Sequence, residues 1–247
     1  MNMRLLIDEK ERKYLVKGDC DVHINYGVVS GEELQKTTPG EVLRTHIGNK
    51  LNVIEPGIID FMEKAKRGPQ TMAMKDSAII AGFTGIKSGS RVVDAGAGSG
   101  VNAMFLANIV APEKLICYEI REDFAEIARK NFEKAGIENV AIKLKNIYEG
   151  IDEKNIDLIS LDVPEPWEAV SPAIESLKIG GYVTSYSPSI EQSKKFYDKL
   201  IQSDARFTIE TVECLVRNWD LKVVRPFSRM LGHTGFITFA RLIGRGT

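Results

Sequence analysis

Cysteine and histidine are scarce in this chain of 247 residues, three of each. Cys20, Cys117 and Cys214 lie far apart, form no C-x-x-C pair and have no histidine at ligand spacing. That pattern excludes a zinc site and a disulfide framework and reads as buried thiols, so no metal is expected. Long apolar runs are missing as well: none approaches the roughly 18 residues of a membrane span. The opening "MNMRLLIDEKERK" has an uninterrupted apolar run of only three residues, Leu5–Ile7, before acids intervene, too short for a signal peptide, so a cytoplasmic protein is expected. Nor is there an excess of charge. With 33 basic and 34 acidic side chains, composition favours neither nucleic acid nor membrane as a partner. By segment, residues 69–204 carry 15 basic against 20 acidic, and residues 205–247 carry seven basic against three acidic, the basic ones mostly arginines, which suit phosphate better than lysines do. The plainer reading of such a tail is a solvated face.

What the chain has is 43% hydrophobic residues, enough for one domain of ordinary size and a smaller appendage. The pattern changes near residue 55. Before it, "RLLI", "KYLVKG" and "DVHINYG" alternate as strands between glycines, predicting a small all-β domain over 1–55. After it, "IIDFMEKAKR" and "KDSAIIAGF" are helical, and strands then alternate with helices over 56–247. The strands are "RVVDA", "KLICYEI", "VAIKLK", "IDLISLD" and "GYVTSYS"; the helices fall near 100–110, 122–135, 168–177 and 190–203. Alternation of this kind predicts an α/β fold, a parallel sheet with helices on both faces. "FTIETVECLVR" and "TGFITFARL", with no helix between them, predict an antiparallel hairpin added at the sheet edge.

Within this frame "RVVDAGAGSGVN" runs from the first parallel strand through a glycine loop into a helix, where strand ends and free helix N–H groups make a ligand crevice. Gly96, Gly98 and Gly100 give G-x-G-x-G, with Val101 where a dinucleotide fingerprint needs its last glycine. Adenosine carrying an amino-acid tail therefore fits better than a dinucleotide, with Gly98 and Gly100 letting the backbone approach it. Glu119, at the end of the second strand, is placed to accept hydrogen bonds from both ribose hydroxyls. Asn146, after the third, can read an adenine edge; Glu119 alone would be an ordinary surface acid at a strand end.

"DAGAGSG" followed by "YEI" resembles the first two motifs of the seven-stranded, Rossmann-like S-adenosylmethionine-dependent methyltransferases. "RGPQTMAMKD", "LDVPEPW" and "RPFSRMLGHTGFITFAR" are similar to stretches of the tRNA (adenine-N1)-methyltransferases that act on the T loop, and with the N-terminal β domain the similarity covers nearly the whole chain. The glycine loop is shared by many methyltransferases; D-x-P-x-P-W and G-H-T-G-F are far more specific. This resemblance implies S-adenosylmethionine as cofactor, tRNA as partner, a homotetramer, and cofactor contacts from Gln70, Asp94, Gly96, Gly98, Ser99, Gly100, Val101, Glu119, Asn146 and Asp162. Gln70 and Asp76 belong to a segment that in the family closes over the methionine end; the alternative is a plain linker and helix start. The family often has an aromatic residue just before its P-K-D, whereas this chain has Ala73 and Met74 there.

Asp162 ends the fourth strand, and Pro164 and Pro166 stiffen the loop behind it. Methylation of adenine N1 builds positive charge over the ring and the exocyclic amine, so a carboxylate accepting from N6 stabilises the transition state more than the ground state. Asp162 is the candidate for that catalytic role; a turn or helix cap is the alternative. Trp167 either stacks on a flipped base or fills core. Arg225, Arg229 and His233 recur every four residues, a candidate RNA-facing side of a loop or simply a charged turn. Two other functions stay open: a carboxyl methyltransferase of the isoaspartyl type, which shares the cofactor fold but would favour a small hydroxyl-bearing motif near the glycine loop over D-x-P-x-P-W, and a non-catalytic RNA-binding subunit, which would be expected to have lost the glycine loop and ribose acid.

Overall fold

The computed structural model describes residues 3–25, 27–66, 68 and 71–246. It divides into two compact units, Met1–Ala65 with Lys134–Gly136, and Lys66–Glu133 with Ile137–Thr247.

The first unit is built on an antiparallel sheet in the order β2-β1-β6-β5, with β1 at Met3–Asp8, β2 at Lys13–Lys17, β5 at Val42–Arg44 and β6 at Lys50–Ile54. Alternation puts Leu6, Leu43, Leu51 and Val53 inside, where they pack on Val29 and Leu34. A hairpin of β3 (Val22–Ile24) and β4 (Gly27–Val29) precedes α1, Gly31–Lys36. The unit is therefore not purely β. Ser30 caps α1 by accepting from the Glu32 amide, and acids occupy its first turn, which is why "SGEELQK" turns helical despite its short length. A second helix, α2, spans Ile58–Glu63.

The second unit carries a seven-stranded sheet in the order β12-β15-β11-β10-β7-β8-β9. Its strands are β7 (Val92–Ala95), β8 (Leu115–Glu119), β9 (Val140–Leu144), β10 (Ile156–Leu161), β11 (Leu177–Ser187), β12 (Arg206–Glu213) and β15 (Phe236–Gly244). The first five are parallel; β15 runs antiparallel to both β11 and β12. The expected terminal pair is thus present, but its second strand lies inside the sheet and its first forms the edge. Helices α3 (Met74–Thr84), α4 (Val101–Val110), α5 (Glu122–Ala135), α6 (Val170–Ser176) and α7 (Ile190–Ile201) connect the strands. Helices α5 and α7 bury one stripe each, Ala125, Ala128 and Phe132 in one, Ser193, Phe196 and Leu200 in the other, and turn their charges to water. β7, in the sheet's middle, is buried at all four positions. From it the chain moves outward through β8 and β9, then returns to β10 on the other side, so the crevice at the order reversal opens beside the carboxyl ends of β7 and β10. Between β12 and β15 residues 214–235 form an arm holding the two-residue strands β13 (Trp219–Asp220) and β14 (Arg225–Pro226), paired antiparallel.

Candidate active site

The crevice floor is the glycine loop after β7. Gly96 has φ +80°, and a Cβ there would lie 2.0 Å from the Asp162 carbonyl oxygen, so only glycine lets β7 and β10 end side by side. The Asp162 amide seals that pairing by donating to the Ala95 carbonyl at 2.9 Å. Gly100, φ +77°, starts α4, and a Cβ there would strike the Phe132 ring at 2.6 Å. Its bareness serves packing against α5. At Gly98, φ +52°, a Cβ would meet nothing closer than 3.8 Å, so packing does not explain that glycine. Ser99 and Val101 are buried.

Glu119 lies at the end of β8 with its carboxylate against this loop. One oxygen accepts from the Gly98 amide at 2.9 Å, the other from the amides of Ile120 and Arg121 at 2.8 and 2.9 Å. The acid therefore holds the loop as well as facing it, and keeps acceptor capacity to spare. Asn131 adds a brace that the sequence did not signal: its amide nitrogen donates to the carbonyls of Ser99 and Lys66, while its oxygen accepts from the Lys66 amide.

Under the loop, Asp94 is almost fully buried and accepts from Asn102 Nδ2 at 2.7 Å; the same nitrogen reaches Ser160 Oγ at 3.2 Å. Burial pushes Asp94 up to about 6, against the opposing effect of these hydrogen bonds. Asp162 is pushed further, to about 7, first by burial and then by the charge of Asp94. Among the described residues its carboxylate has neither hydrogen-bond donor nor ion-pair partner, so it caps no helix. The loop behind it is held by Tyr148, whose hydroxyl accepts from the Glu165 amide at 3.0 Å. Trp167 is half-buried in a 3-10 turn, Pro166–Ala169, with Lys195 Nζ 5.0 Å from its ring centre.

Asn146 is half-buried after β9, its side chain capping a 3-10 turn by accepting from the Tyr148 amide at 3.0 Å. Asp76, in the first turn of α3, is fully buried; one carboxylate oxygen takes Lys75 Nζ at 2.6 Å and the other has no hydrogen bond among the described residues. Tyr186 stands near both Asp76 and Asp162, and its hydroxyl is pushed to about 12 by burial and then by the Asp76 charge. Gln70 lies outside the described residues. Arg225 and Arg229 are exposed on the arm, whereas His233 is anchored at its base, with Nδ1 2.6 Å from Glu213 and Nε2 3.0 Å from the Pro188 carbonyl. Both acceptors favour the imidazolium, so the His233 pKa is raised, chiefly by Glu213.

The family described as "tRNA methyltransferase complex GCD14 subunit" matches residues 65–225. A Methanocaldococcus jannaschii protein, tRNA (adenine(57)-N(1)/adenine(58)-N(1))-methyltransferase TrmI, is 35% identical over 97% of this chain and 94% of its own length. The Thermus thermophilus tRNA (adenine(58)-N(1))-methyltransferase TrmI is 32% identical over 96% of this chain and 95% of its own. Among solved structures, a Thermotoga maritima protein described as a SAM-dependent O-methyltransferase superposes with a TM-score of 0.91 at 36% identity, covering 100% of this chain and 94% of that one. The tRNA (m1A58) methyltransferase TrmI of Aquifex aeolicus gives 0.82 at 24% identity, covering 97% and 96%, a likeness of fold. With its family match, these near-full-length relatives and a seven-stranded methyltransferase sheet, the chain belongs to the tRNA methyltransferase complex GCD14 subunit family.

Proposed function

We propose that the protein methylates N1 of adenine 58 in the T loop of tRNA, with adenine 57 as a second target, using S-adenosylmethionine. The observation that carries the reading is Asp162: a carboxylate without a partner among the described residues, at the end of the strand beside the glycine loop, in a family whose relatives bear the name of this reaction. Loss of glycine loop or strand-end acid would favour a non-catalytic subunit, and both are present.

The crevice fits the cofactor. Gly98 has an open Cβ direction where a ligand needs the backbone close, and Glu119 retains acceptor capacity after binding three amides. S-adenosylmethionine supplies a methyl group on a positively charged sulfur. Asp94, Ser99 and Val101 shape the floor, Glu119 takes the ribose hydroxyls, Asn146 the adenine edge, and Gln70 and Asp76 the methionine end. Asp162, ionised, accepts a hydrogen bond from the target adenine's N6 as positive charge spreads there from N1. Trp167 lines the entry for a flipped base.

Arg225 and Arg229 contact tRNA phosphates, which the near-neutral chain as a whole would attract weakly. The arm also exposes Leu215, Trp219, Leu221, Val224, Phe227 and Leu231, each at least half exposed. So many exposed apolar side chains on one arm, in a family described as a complex subunit, support a homo-oligomer joined through the arms, a tetramer by resemblance. The protein works in the cytoplasm, in keeping with the lack of any described helix long and apolar enough to cross a membrane.

A second reading comes from the Thermotoga maritima neighbour, described as acting on oxygen. There Asp162 would take a hydroxyl proton instead. Incubating the protein with labelled cofactor and, separately, total tRNA, aged peptide and small phenols decides between them: label in RNA alone supports the proposal, and label in peptide or phenol alone removes it.

A further inference from the structure

Lys75 spends all three of its ammonium protons in one place. Besides Asp76 at 2.6 Å, Nζ donates to the Cys214 carbonyl at 2.7 Å and to Thr234 Oγ1 at 2.6 Å. Cys214 and Thr234 are the first residue after β12 and the second before β15, so this one cation grips both ends of the arm. The grip is not isolated. Tyr186 donates its hydroxyl to the Thr234 carbonyl at 2.7 Å, and its ring fills the place a Cβ on Gly235 would need, 2.5 Å away. His233 ties Glu213 to the Pro188 carbonyl just outside the same ring of contacts. All of this meets where β11 ends, next to β10, whose end carries Asp162.

The polar side-chain groups of Lys75, Tyr186 and His233 at the arm base are thereby paired within the protein. Beyond the clamp, the chain between Leu215 and Leu231 has few anchors: its two short strands bond mainly to each other, and its large apolar side chains face outward. Its direction is therefore set at its root.

The geometry points to Lys75 as a positioning residue: it clamps both ends of the arm to the start of α3 and so fixes where RNA held by the arm presents its base to the crevice. This rests on the tRNA reading above. Lys75 touches no reacting atom in this account, so loosening the arm at its root acts on substrate placement and leaves the chemistry of a correctly seated base alone.

Lys75→Met is the direct variant, but it strands the buried Asp76 carboxylate and can unfold the protein. Thr234→Val removes one leg of the clamp without burying a charge, and Thr234→Ser restores the hydroxyl. With Thr234→Val the amides of residues 215–233 should exchange with solvent about tenfold faster, as expected for loss of a hydrogen bond to a charged donor. KM for tRNA should rise several-fold while kcat and cofactor affinity keep the parent values, and Thr234→Ser should return both readouts toward the parent. Unchanged exchange and KM in a folded Lys75→Met or Thr234→Val protein would overturn the assignment, as would a fall in kcat with KM constant in Thr234→Val. If the parent protein methylates no tRNA, the functional reading fails by itself, and the exchange measurement still decides whether Lys75 holds the arm.

Discussion

Asp94→Asn isolates the electrostatics of the crevice. The exchange is isosteric, and the new side chain's oxygen can keep the hydrogen bond from Asn102. Asp94 now sits at about 6 against an ordinary 3.8 because burial disfavours its charge. That difference corresponds to about 3 kcal/mol. The sign follows from linkage: the folded protein binds this proton more tightly than the unfolded chain, so stability is complete below pH 4 and is lost as pH rises through about 6. At pH 8 the variant, which has no charge to bury, should be more stable than the parent by up to about 3 kcal/mol in denaturant unfolding, with the difference vanishing near pH 3. Activity should respond through Asp162, which sits at about 7 from burial and from the Asp94 charge. If Asp162 acts ionised, parent single-turnover methylation at pH 6 should run about tenfold below its plateau, since roughly one carboxyl in ten is then charged. Removing the neighbouring charge should move the midpoint of that profile to lower pH, whatever the plateau rate. A parent profile flat from pH 6 to 8, or a midpoint unmoved in Asp94→Asn, would refute the reasoning.

The other perturbations separate chemistry, cofactor and RNA. Asp162→Ala should slow methyl transfer by about 10² or more in single-turnover assays while keeping most cofactor affinity. Gly98→Ala should cost about 1 kcal/mol for its left-handed backbone, yet weaken cofactor binding in calorimetry. Gly100→Ala, driven against Phe132, should cost about 2–4 kcal/mol in thermal unfolding. The double change Arg225→Ala, Arg229→Ala should flatten the log–log salt dependence of tRNA binding by roughly 0.7 to 0.9 per lost phosphate contact, with cofactor affinity unchanged.

Much of the catalytic unit is legible from local signals, because glycine loops and 3.6-residue stripes are short-range patterns. The helix expected over 122–135 is α5, and "RVVDA" and "IDLISLD" are adjacent central strands. The position of β15 was not legible. Its residues read as a strand in any partner arrangement, and only the pairing with both β11 and β12 puts it inside the sheet. Helix α1 escaped notice because six residues give less than two turns of periodicity, leaving Ser30 and the following acids as its only signal. At the site, the strand-end acids were legible from their place after apolar runs. Asn102, Asn131 and Lys75 were not, since each acts through partners distant in sequence: Ser160 for Asn102, Lys66 and Ser99 for Asn131, Cys214 and Thr234 for Lys75.

The measurement that tests the account most directly is nucleoside-resolved mapping of the methyl group. Purified protein is given labelled S-adenosylmethionine and a tRNA transcript, with matched transcripts carrying guanosine at position 58, at 57, or at both. The account predicts 1-methyladenosine in the parent transcript, most of it lost when position 58 is changed and all of it lost in the double change. Label in another nucleoside or on a ribose oxygen, or 1-methyladenosine that persists in the double change, would contradict it.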